Sequence, residues 1–125
     1  IRFENITIEN KNLMEHFPNI QFYDYTKIAN RRNIPDNYHL TFSYSEANPI
    51  YQKQVNIALE KKMNIAVVFR HQENMPRTFL GLKVIDGDKT DLRFLDPKNS
   101  IVGLYAKGKA KKDYSGFVID NPIAA

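Results

Sequence analysis

The stretch Asn64-Ile65-Ala66-Val67-Val68-Phe69 decides the fold, because it is an almost uniform apolar run that stops at a polar Arg70. Such a run is typical of a strand that is covered on both faces, as strands in parallel sheets are. Before it, residues 49–62 predict an amphipathic helix with Pro49 in its first turn, and residues 38–44 alternate as a further strand. Strand, helix and strand in this order indicate a parallel βαβ unit.

The residues ahead of this unit continue the alternation of strands and helical segments. Period-two alternation with β-branched or aromatic residues predicts strands, while apolar residues three and four apart predict helices. The predicted elements are a strand over 1–8, a short helix over 10–17 with Asn10 or Asn12 as its N-cap, a strand over 20–26 and a helical turn over 27–32. We therefore expect an α/β fold whose βαβ units form a small, mainly parallel sheet that resembles part of a barrel.

The pattern changes after Arg70. Short strands are predicted over 79–85, 90–95 and 101–105, separated by the turn-forming stretches Asp86-Gly87-Asp88 and Asp96-Pro97-Lys98-Asn99. These strands predict a C-terminal part rich in β-hairpins. We expect one domain over 1–125, with a βαβ portion over 1–70 and a basic β-rich tail over 71–125. Because the sequence opens on Ile1 rather than Met, a fragment of a longer protein is an alternative to a complete chain.

Composition narrows the function classes. The 125 residues include no cysteine, which excludes disulfides, cysteine-ligated zinc and an iron–sulfur cluster held by this chain. The sequence has no apolar stretch near the ~20 residues of a membrane span and no secretion signal at its start. We therefore expect a cytoplasmic protein with no membrane partner, of unknown oligomeric state. A net charge of +4 favours a polyanionic partner such as nucleic acid.

The densest acidic stretch runs from Asp86 to Asp96. Its four carboxylates, on Asp86, Asp88, Asp91 and Asp96, are oxygen ligands suited to a hard divalent cation, so we predict a Mg²⁺ or Mn²⁺ site there. An Asp-x-Asp-x-Thr string after an apolar strand is also typical of phosphotransferases with an aspartate nucleophile. In that interpretation Asp86 attacks phosphate and Asp88 acts as acid/base. The alternative is a hairpin turn at Asp86-Gly87-Asp88, with Asp91 in a surface ion pair.

A basic strip follows the acidic stretch. The sequence from Lys98 to Lys112 contains five lysines and no acid, and Tyr105 and Tyr114 flank the lysine-rich part. Lysines neutralise phosphates and tyrosines stack on bases, so this composition is typical of a nucleic-acid contact surface. The predicted nucleic-acid-binding residues are Lys98, Tyr105, Lys107, Lys109, Lys111 and Lys112. The alternative is a solvated charged loop.

Polar residues also follow the predicted parallel strands, where α/β sheets place their ligands. They are Asp24, Tyr25, Thr26 and Lys27, then Ser43, Tyr44, Ser45 and Glu46, then Arg70 and His71. They predict a small-ligand cleft, although strand ends commonly pass into polar loops. Nucleophile elbows, phosphate loops, dinucleotide fingerprints and zincin motifs are absent from the sequence.

Several blocks of the chain match, in order, those of a known family. They include Pro18-Asn-Ile-Gln-Phe-Tyr-Asp-Tyr-Thr-Lys27, Ile34-Pro-Asp-Asn37, Pro76-Arg-Thr-Phe-Leu-Gly81, Val84-Ile-Asp-Gly-Asp-Lys-Thr-Asp-Leu-Arg-Phe-Leu-Asp-Pro97 and Ala106-Lys-Gly-Lys-Ala-Lys-Lys-Asp113. From about residue 18 to 120 the chain resembles the C-terminal half of the bacteriophage gene product 88 family. The resemblance implies a phage or mobile-element protein in a host bacterial cell, with no settled activity. Longer members carry a cysteine-bearing half that invites comparison with radical-SAM barrels, so any cluster chemistry would need a segment that this cysteine-free chain lacks.

Three functional hypotheses remain open at this point. The first is an accessory protein that binds nucleic acid or a nucleic-acid-handling host protein through the lysine strip. The second is a metal-dependent enzyme of phosphoryl or phosphodiester transfer that uses the acidic stretch from Asp86 to Asp96. The third is an anti-defence inhibitor that acts by covering a partner's surface.

Overall fold

A central strand of buried apolar residues organises the fold. In the computed structural model, residues 2–71, 73, 75–89 and 91–120 are described. The strands are β1 (Thr7–Ile8), β2 (Lys11–Asn12), β3 (Phe22–Thr26), β4 (Tyr38–Ser43), β5 (Ile65–Phe69), β6 (Thr78–Phe79), β7 (Leu82–Asp86), β8 (Ile101–Tyr105) and β9 (Val118–Ile119), and the helices are α1 (Leu13–His16) and α2 (Ile50–Glu60). Within the described ranges, β3 to β9 form a seven-stranded sheet and β1 pairs with β2 in a separate hairpin. The predicted apolar run is therefore the middle strand, β5.

The sheet is mainly parallel, as the sequence predicts. Its order is β3-β4-β5-β8-β7-β6, and β9 adds a second partner to β5. The pairs β3–β4, β4–β5, β5–β8 and β8–β7 are all parallel, and β6 pairs with β7 antiparallel. The predicted α/β class with a mainly parallel sheet is confirmed, and the sheet is open rather than closed into a barrel. The N-terminal and C-terminal portions share this one sheet.

The strands β4 and β5 part from each other near their carboxyl ends, and β9 fills the gap. The register of β4 on β5 covers only Phe42 with Ile65 and Ser43 with Ala66. Farther along β5, Val68 and Phe69 pair with β9 instead. Beyond β4, the backbone N–H of Glu46 donates to the carbonyl of Gly116, 2.8 Å away. The end of the chain's described part is thus built into the sheet.

The two faces of the sheet are covered differently. On one face, Ile65, Val67 and Phe69 of β5 belong to a core cluster that includes Val55 and Ala58 of α2. On the opposite face, a 3₁₀ turn over Arg93–Leu95 contacts β3 and β4. The ring of Phe94 lies 5.3 Å from that of Tyr23 there, centroid to centroid. The first face is apolar, and the second includes polar side chains.

The N-terminal segment differs from its prediction. Residues 1–8 do not form one strand: Phe3–Asn5 is a 3₁₀ turn and only Thr7–Ile8 is extended, while Ile1 lies outside the described residues. The chain reverses at once into β2 because Glu9 and Asn10 adopt φ values of 53° and 67°. Of the two predicted N-caps for α1, Asn12 is the one used, in a capping box with Glu15.

Residues 27–32 do not form the predicted helical turn. The hydroxyl of Thr26 accepts a hydrogen bond from the N–H of Ile28 and donates to its carbonyl, both at 3.0 Å. This local bonding gives the backbone an alternative to helix. The crossover from β3 to β4 is consequently irregular, and α2 is the helix of the β4–β5 crossover.

The C-terminal part contains one hairpin among its described residues and a parallel pair of strands. Residues 79–85 split into β6 and β7 because Leu80 and Gly81 adopt φ values of 52° and 77°, as a tight hairpin turn requires. The predicted strand over 90–95 is wrong, since Arg93–Leu95 is a 3₁₀ turn and Thr90 lies outside the described residues. Asp86-Gly87-Asp88 is not a hairpin turn, because Gly87–Lys89 is a 3₁₀ turn and a 3₁₀ turn over Arg93–Leu95 replaces the second strand of the predicted hairpin. No helix in the described ranges is long and apolar enough to cross a membrane.

The contact at Gly116 gives a prediction for stability. Gly116 has a φ of 109°, and an added Cβ would lie 2.7 to 2.9 Å from backbone atoms of Glu46 and Ala47. Gly116→Ala should therefore lower the free energy of unfolding by about 2 kcal/mol, from backbone strain and overpacking together. Gly81→Ala is the matched control, because Gly81 also has a positive φ but has open space around it. Urea denaturation of both variants measures the difference, and equal losses would contradict the proposed clash.

Candidate functional site

Arg70 is the residue around which the carboxyl edge of the sheet is arranged. It follows β5 directly and is 7% exposed. Its Nη1 donates to the carbonyls of Lys111 at 2.9 Å and Ala110 at 3.3 Å, and its Nη2 donates to that of Asp113 at 2.6 Å. These acceptors lie in the segment that leads from β8 to β9. A single guanidinium at the end of the central strand therefore fixes the path of the backbone above it.

Two further contacts hold the Arg70 guanidinium in place. Its Nε and Nη2 donate to the carboxylate of Asp120, at 2.6 and 3.2 Å. The hydrogen bond from Arg70 lowers the pKa of Asp120 below its ordinary value, so this carboxylate stays charged. The guanidinium carbon also lies 4.3 Å from the ring centroid of Tyr114. Tyr114 is nevertheless 78% exposed, so most of its surface faces solvent.

The segment over residues 107–114, here named the lysine loop, displays the predicted lysines. A 3₁₀ turn over Gly108–Lys112 carries Lys109, Lys111 and Lys112, which are all exposed. Within the described part of the chain, none of these three has an acidic partner. The hydrogen bonds from Arg70 to the carbonyls of Ala110, Lys111 and Asp113 hold this turn against the end of β5. The lysine loop is thus a fixed, positively charged surface.

Lys107 differs from the other lysines of the loop because its charge is compensated. Its ammonium forms an ion pair with Asp88 and lies 4.4 Å from the ring centroid of Tyr105. The hydrogen bond to Asp88 raises the pKa of Lys107. The other oxygen of Asp88 accepts the backbone N–H of Tyr105 at 3.1 Å. Asp88 therefore anchors the start of the lysine loop, and Tyr105 is partly covered.

Lys98 lies apart from the lysine loop. It precedes Ile101, the first residue of β8, whereas Lys107 follows Tyr105, the last. Lys98 and Lys107 are therefore separated by the whole length of β8, in which each residue adds a rise of about 3.3 Å. Lys98 lines a cleft with Lys61 and Lys62 instead. The predicted basic strip is therefore divided between the two ends of the parallel strands. Lys98 lies at their amino ends, and the lysine loop lies at their carboxyl ends.

The acidic residues are engaged separately rather than as one group. Asp86 accepts the N–H of Asp88 at 3.0 Å, and Asp96 lies 3.2 Å from the Nε of Arg93. Across the described ranges, no three His, Cys, Asp or Glu side chains are grouped so that they could hold a metal ion. The Mg²⁺ or Mn²⁺ site, with Asp91 as a further ligand, and the catalytic roles of Asp86 and Asp88 stay predictions without a supporting geometry.

Among the described residues, β9 lies between the polar ends of β4 and β5, since it pairs with β5 and Gly116 accepts the N–H of Glu46. Tyr44 donates to Glu46 at 2.6 Å, and burial, together with this bond, raises the pKa of Tyr44. The ammonium of Lys27 lies 5.2 and 4.8 Å from the ring centroids of Tyr51 and Phe117, and burial lowers its pKa. These groups stabilise the edge of the sheet beside the Arg70 cluster.

A polar cluster beneath the turn over Arg93–Leu95 was missed by the sequence reasoning. Arg93 is 1% exposed and donates from Nη2 to the carbonyl of Gly87 at 2.9 Å. Burial raises the pKa of Asp96 and lowers that of His39. The signal was the alternation of β4, which places His39 and Thr41 on the face opposite the apolar Phe42. A polar face needs a polar cover, and Arg93 supplies it.

The family model described as gene product 88 matches residues 1–121. The chain belongs to the gene product 88 family. The match begins at residue 1, so this family member shares more with its relatives than the blocks over 18–120 indicated. No curated protein and no solved structure matches the chain.

Proposed function

We propose that this phage-family protein binds nucleic acid in the host cytoplasm with its lysine loop. The observation that carries the proposal is the set of hydrogen bonds from Arg70 to the carbonyls of Ala110, Lys111 and Asp113. Because these bonds fix the backbone, the lysines on it lose little conformational freedom in the backbone when they bind a partner. A preorganised surface binds more tightly than a flexible one that carries the same charges.

The charges of the loop suit phosphate groups. Lys109, Lys111 and Lys112 are exposed, and within the described residues no carboxylate neutralises them. Lysine contacts to phosphates release condensed counterions, which provides most of the free energy of sequence-independent binding. Lys107 contributes less, because Asp88 compensates its charge.

Tyr114 favours a single strand over a duplex as the ligand. Its ring lies over the Arg70 guanidinium and is 78% exposed. A ring supported in this way can stack on an unpaired base, which a duplex does not offer. We therefore expect tighter binding to single-stranded DNA or RNA than to a duplex of the same sequence.

A salt series tests this proposal. Replacing Lys109, Lys111 and Lys112 together with glutamine should reduce the slope of log affinity against log salt by about 2, since each phosphate contact to a single strand contributes roughly 0.7. The control replaces Lys11, Lys53 and Lys83, which are equally exposed lysines outside the loop, and so removes the same net charge. Fluorescence anisotropy of a labelled single strand measures both variants.

The outcomes separate the proposed ligand from other partners. A slope that changes equally in both variants would show that net charge alone attracts the strand. Binding that ignores ionic strength would exclude phosphate contacts altogether. Capture of a host protein by the lysine loop, with no affinity for nucleic acid, would favour a protein partner or an inhibitory role instead.

A further inference from the structure

A cleft of about 310 Å³ lies at the edge of the sheet opposite the lysine loop. It is formed where β5 and β8 begin, and its lining includes Lys61, Lys62 and Lys98. The described residues that line it include no aspartate and no glutamate. Three like charges around one concavity repel each other unless an anion lies between them.

None of these three lysines is neutralised by a carboxylate in the described part of the chain. The ammonium of Lys61 donates to the carbonyl of Arg31 at 3.3 Å, in the neighbouring pocket that both residues line, and would turn to reach an anion in this cleft. Lys62 and Lys98 are exposed and remain free to turn toward a ligand. The lining therefore offers several charged donors to a single acceptor group.

A buried amide in the lining points to the same kind of ligand. Asn64 is 4% exposed, and its Oδ1 accepts the N–H of Ser100 at 3.1 Å. This bond fixes which end of the amide is the donor. Its Nδ2 is buried, and no hydrogen-bond partner for it exists among the described residues. A buried donor without an acceptor is costly, and a small shift of the surrounding side chains would let an anion oxygen, or a water that the anion orders, satisfy it.

The backbone of Lys62 gives a third observation. Lys62 follows the end of α2 and has a φ of 57°, a conformation that glycine adopts at much lower cost. The negative end of the helix dipole favours a cation after the last turn of α2, and the backbone here places that cation beside the cleft.

We propose that the cleft lined by Lys61, Lys62, Asn64 and Lys98 binds a phosphate group. Inorganic phosphate, a nucleoside monophosphate and the terminal phosphate of a nucleic-acid strand share this chemistry. The site lies at the other edge of the sheet from the lysine loop, so it does not depend on the function proposed for that loop.

Nuclear magnetic resonance on the full chain tests the site directly. Inorganic phosphate is titrated at constant ionic strength, with chloride as the balancing anion, while the side-chain amide signal of Asn64 is followed. We expect a saturable shift of this signal and of the backbone signals of Lys62 and Asn99. A shift that never saturates, or that chloride reproduces, would overturn the proposal.

Two variants separate binding from folding. Lys62→Gly removes a charge and relieves the backbone, so we expect an unchanged or higher thermal midpoint together with phosphate affinity weaker by about tenfold, as the loss of one charged contact predicts. Lys98→Gln should weaken binding to a similar extent. Lys83→Gln, on the exposed side of β7, is the control and should leave the affinity unchanged. Equal affinities in all three variants would overturn the site.

Competition then identifies the source of the phosphate. Strands with and without a terminal phosphate, and a nucleoside monophosphate, are each added to the phosphate-loaded protein. Displacement by the phosphorylated strand alone assigns the site to a strand end, and displacement by the monophosphate as well assigns it to a small ligand. Either result supports the site, and failure of all three to displace inorganic phosphate would restrict it to the free ion.

Discussion

Replacing Arg70 with alanine should weaken binding of a single strand more than the loss of one charge explains. The side chain is buried under the loop, so it acts as a positioning residue and not as a contact to the ligand. Without it, the carbonyls of Ala110, Lys111 and Asp113 lose their common donor, and the lysines are no longer held in one arrangement. We expect affinity to fall by well over tenfold, because binding must then supply the ordering of the loop.

The Arg70 experiment needs two further variants. Arg77→Ala removes an exposed arginine and hence the same net charge, and we expect it to lower affinity only slightly. Arg70→Lys keeps the charge but lacks the planar fork that reaches several acceptors, so it should resemble Arg70→Ala. Trypsin cleavage within residues 107–114 reports the order of the loop independently of binding. If Arg70→Lys behaved as the unmodified protein in both assays, positioning by the guanidinium would be ruled out.

Replacing Glu4 with alanine should cause the largest loss of stability. Glu4 forms a two-point ion pair with Arg31, and their side chains are 2% and 4% exposed. Arg31 also lies 5.5 Å from the ring centroid of Tyr38 in β4, so the pair fastens the N-terminal segment to the sheet. Leaving Arg31 buried without its partner should cost about 4 kcal/mol, which lowers the thermal midpoint by roughly 15 °C in a domain of this size.

A double variant and a pH series complete the Glu4 test. Glu4→Leu combined with Arg31→Met should recover much of the loss, because it removes both buried charges together. The Arg31 hydrogen bond lowers the pKa of Glu4 below its ordinary 4.5. The pair's contribution is therefore complete above that value and disappears as the pH falls through the lowered pKa of the folded state. Chemical denaturation at several pH values should show a larger loss of stability below pH 4.5 in the unmodified chain than in Glu4→Gln, which keeps the contribution of Asp120, and identical curves would contradict it.

The sequence allowed the central strand and its helix to be predicted, because both depend on local pattern. The apolar run at Asn64–Phe69 required cover on two faces, and the structure provides it with α2 on one side. By contrast, β9 has only two residues, Val118 and Ile119, and pairs with a strand fifty residues earlier. Nothing in such a short apolar segment indicates a long-range partner.

Strand direction limited the prediction of the site. Had β7 and β8 formed a hairpin, Asp88 would lie near Lys98 and the lysine loop would lie at the far end. Because they are parallel, the end of β7 meets the end of β8, and Asp88 pairs with Lys107. The pattern of apolar residues is the same in both cases. The sequence therefore named each lysine of the predicted basic strip, but it could not show that these lysines lie at opposite ends of the strands.

The position of β9 beside β5 has a consequence for how the protein matures. The strands β8 and β9 both pair with β5, one on each side. The lysine loop lies in the connection from β8 to β9 and therefore crosses over the carboxyl end of the central strand. During synthesis, Arg70 leaves the ribosome long before the residues that accept its hydrogen bonds. The lysine loop is fixed at both ends only when Ile119 has paired with β5. Pairing over such a sequence separation is slow. The nascent chain consequently forms most of its sheet before its lysine surface, so the nucleic-acid binding that we propose would develop only after β9 has paired with β5.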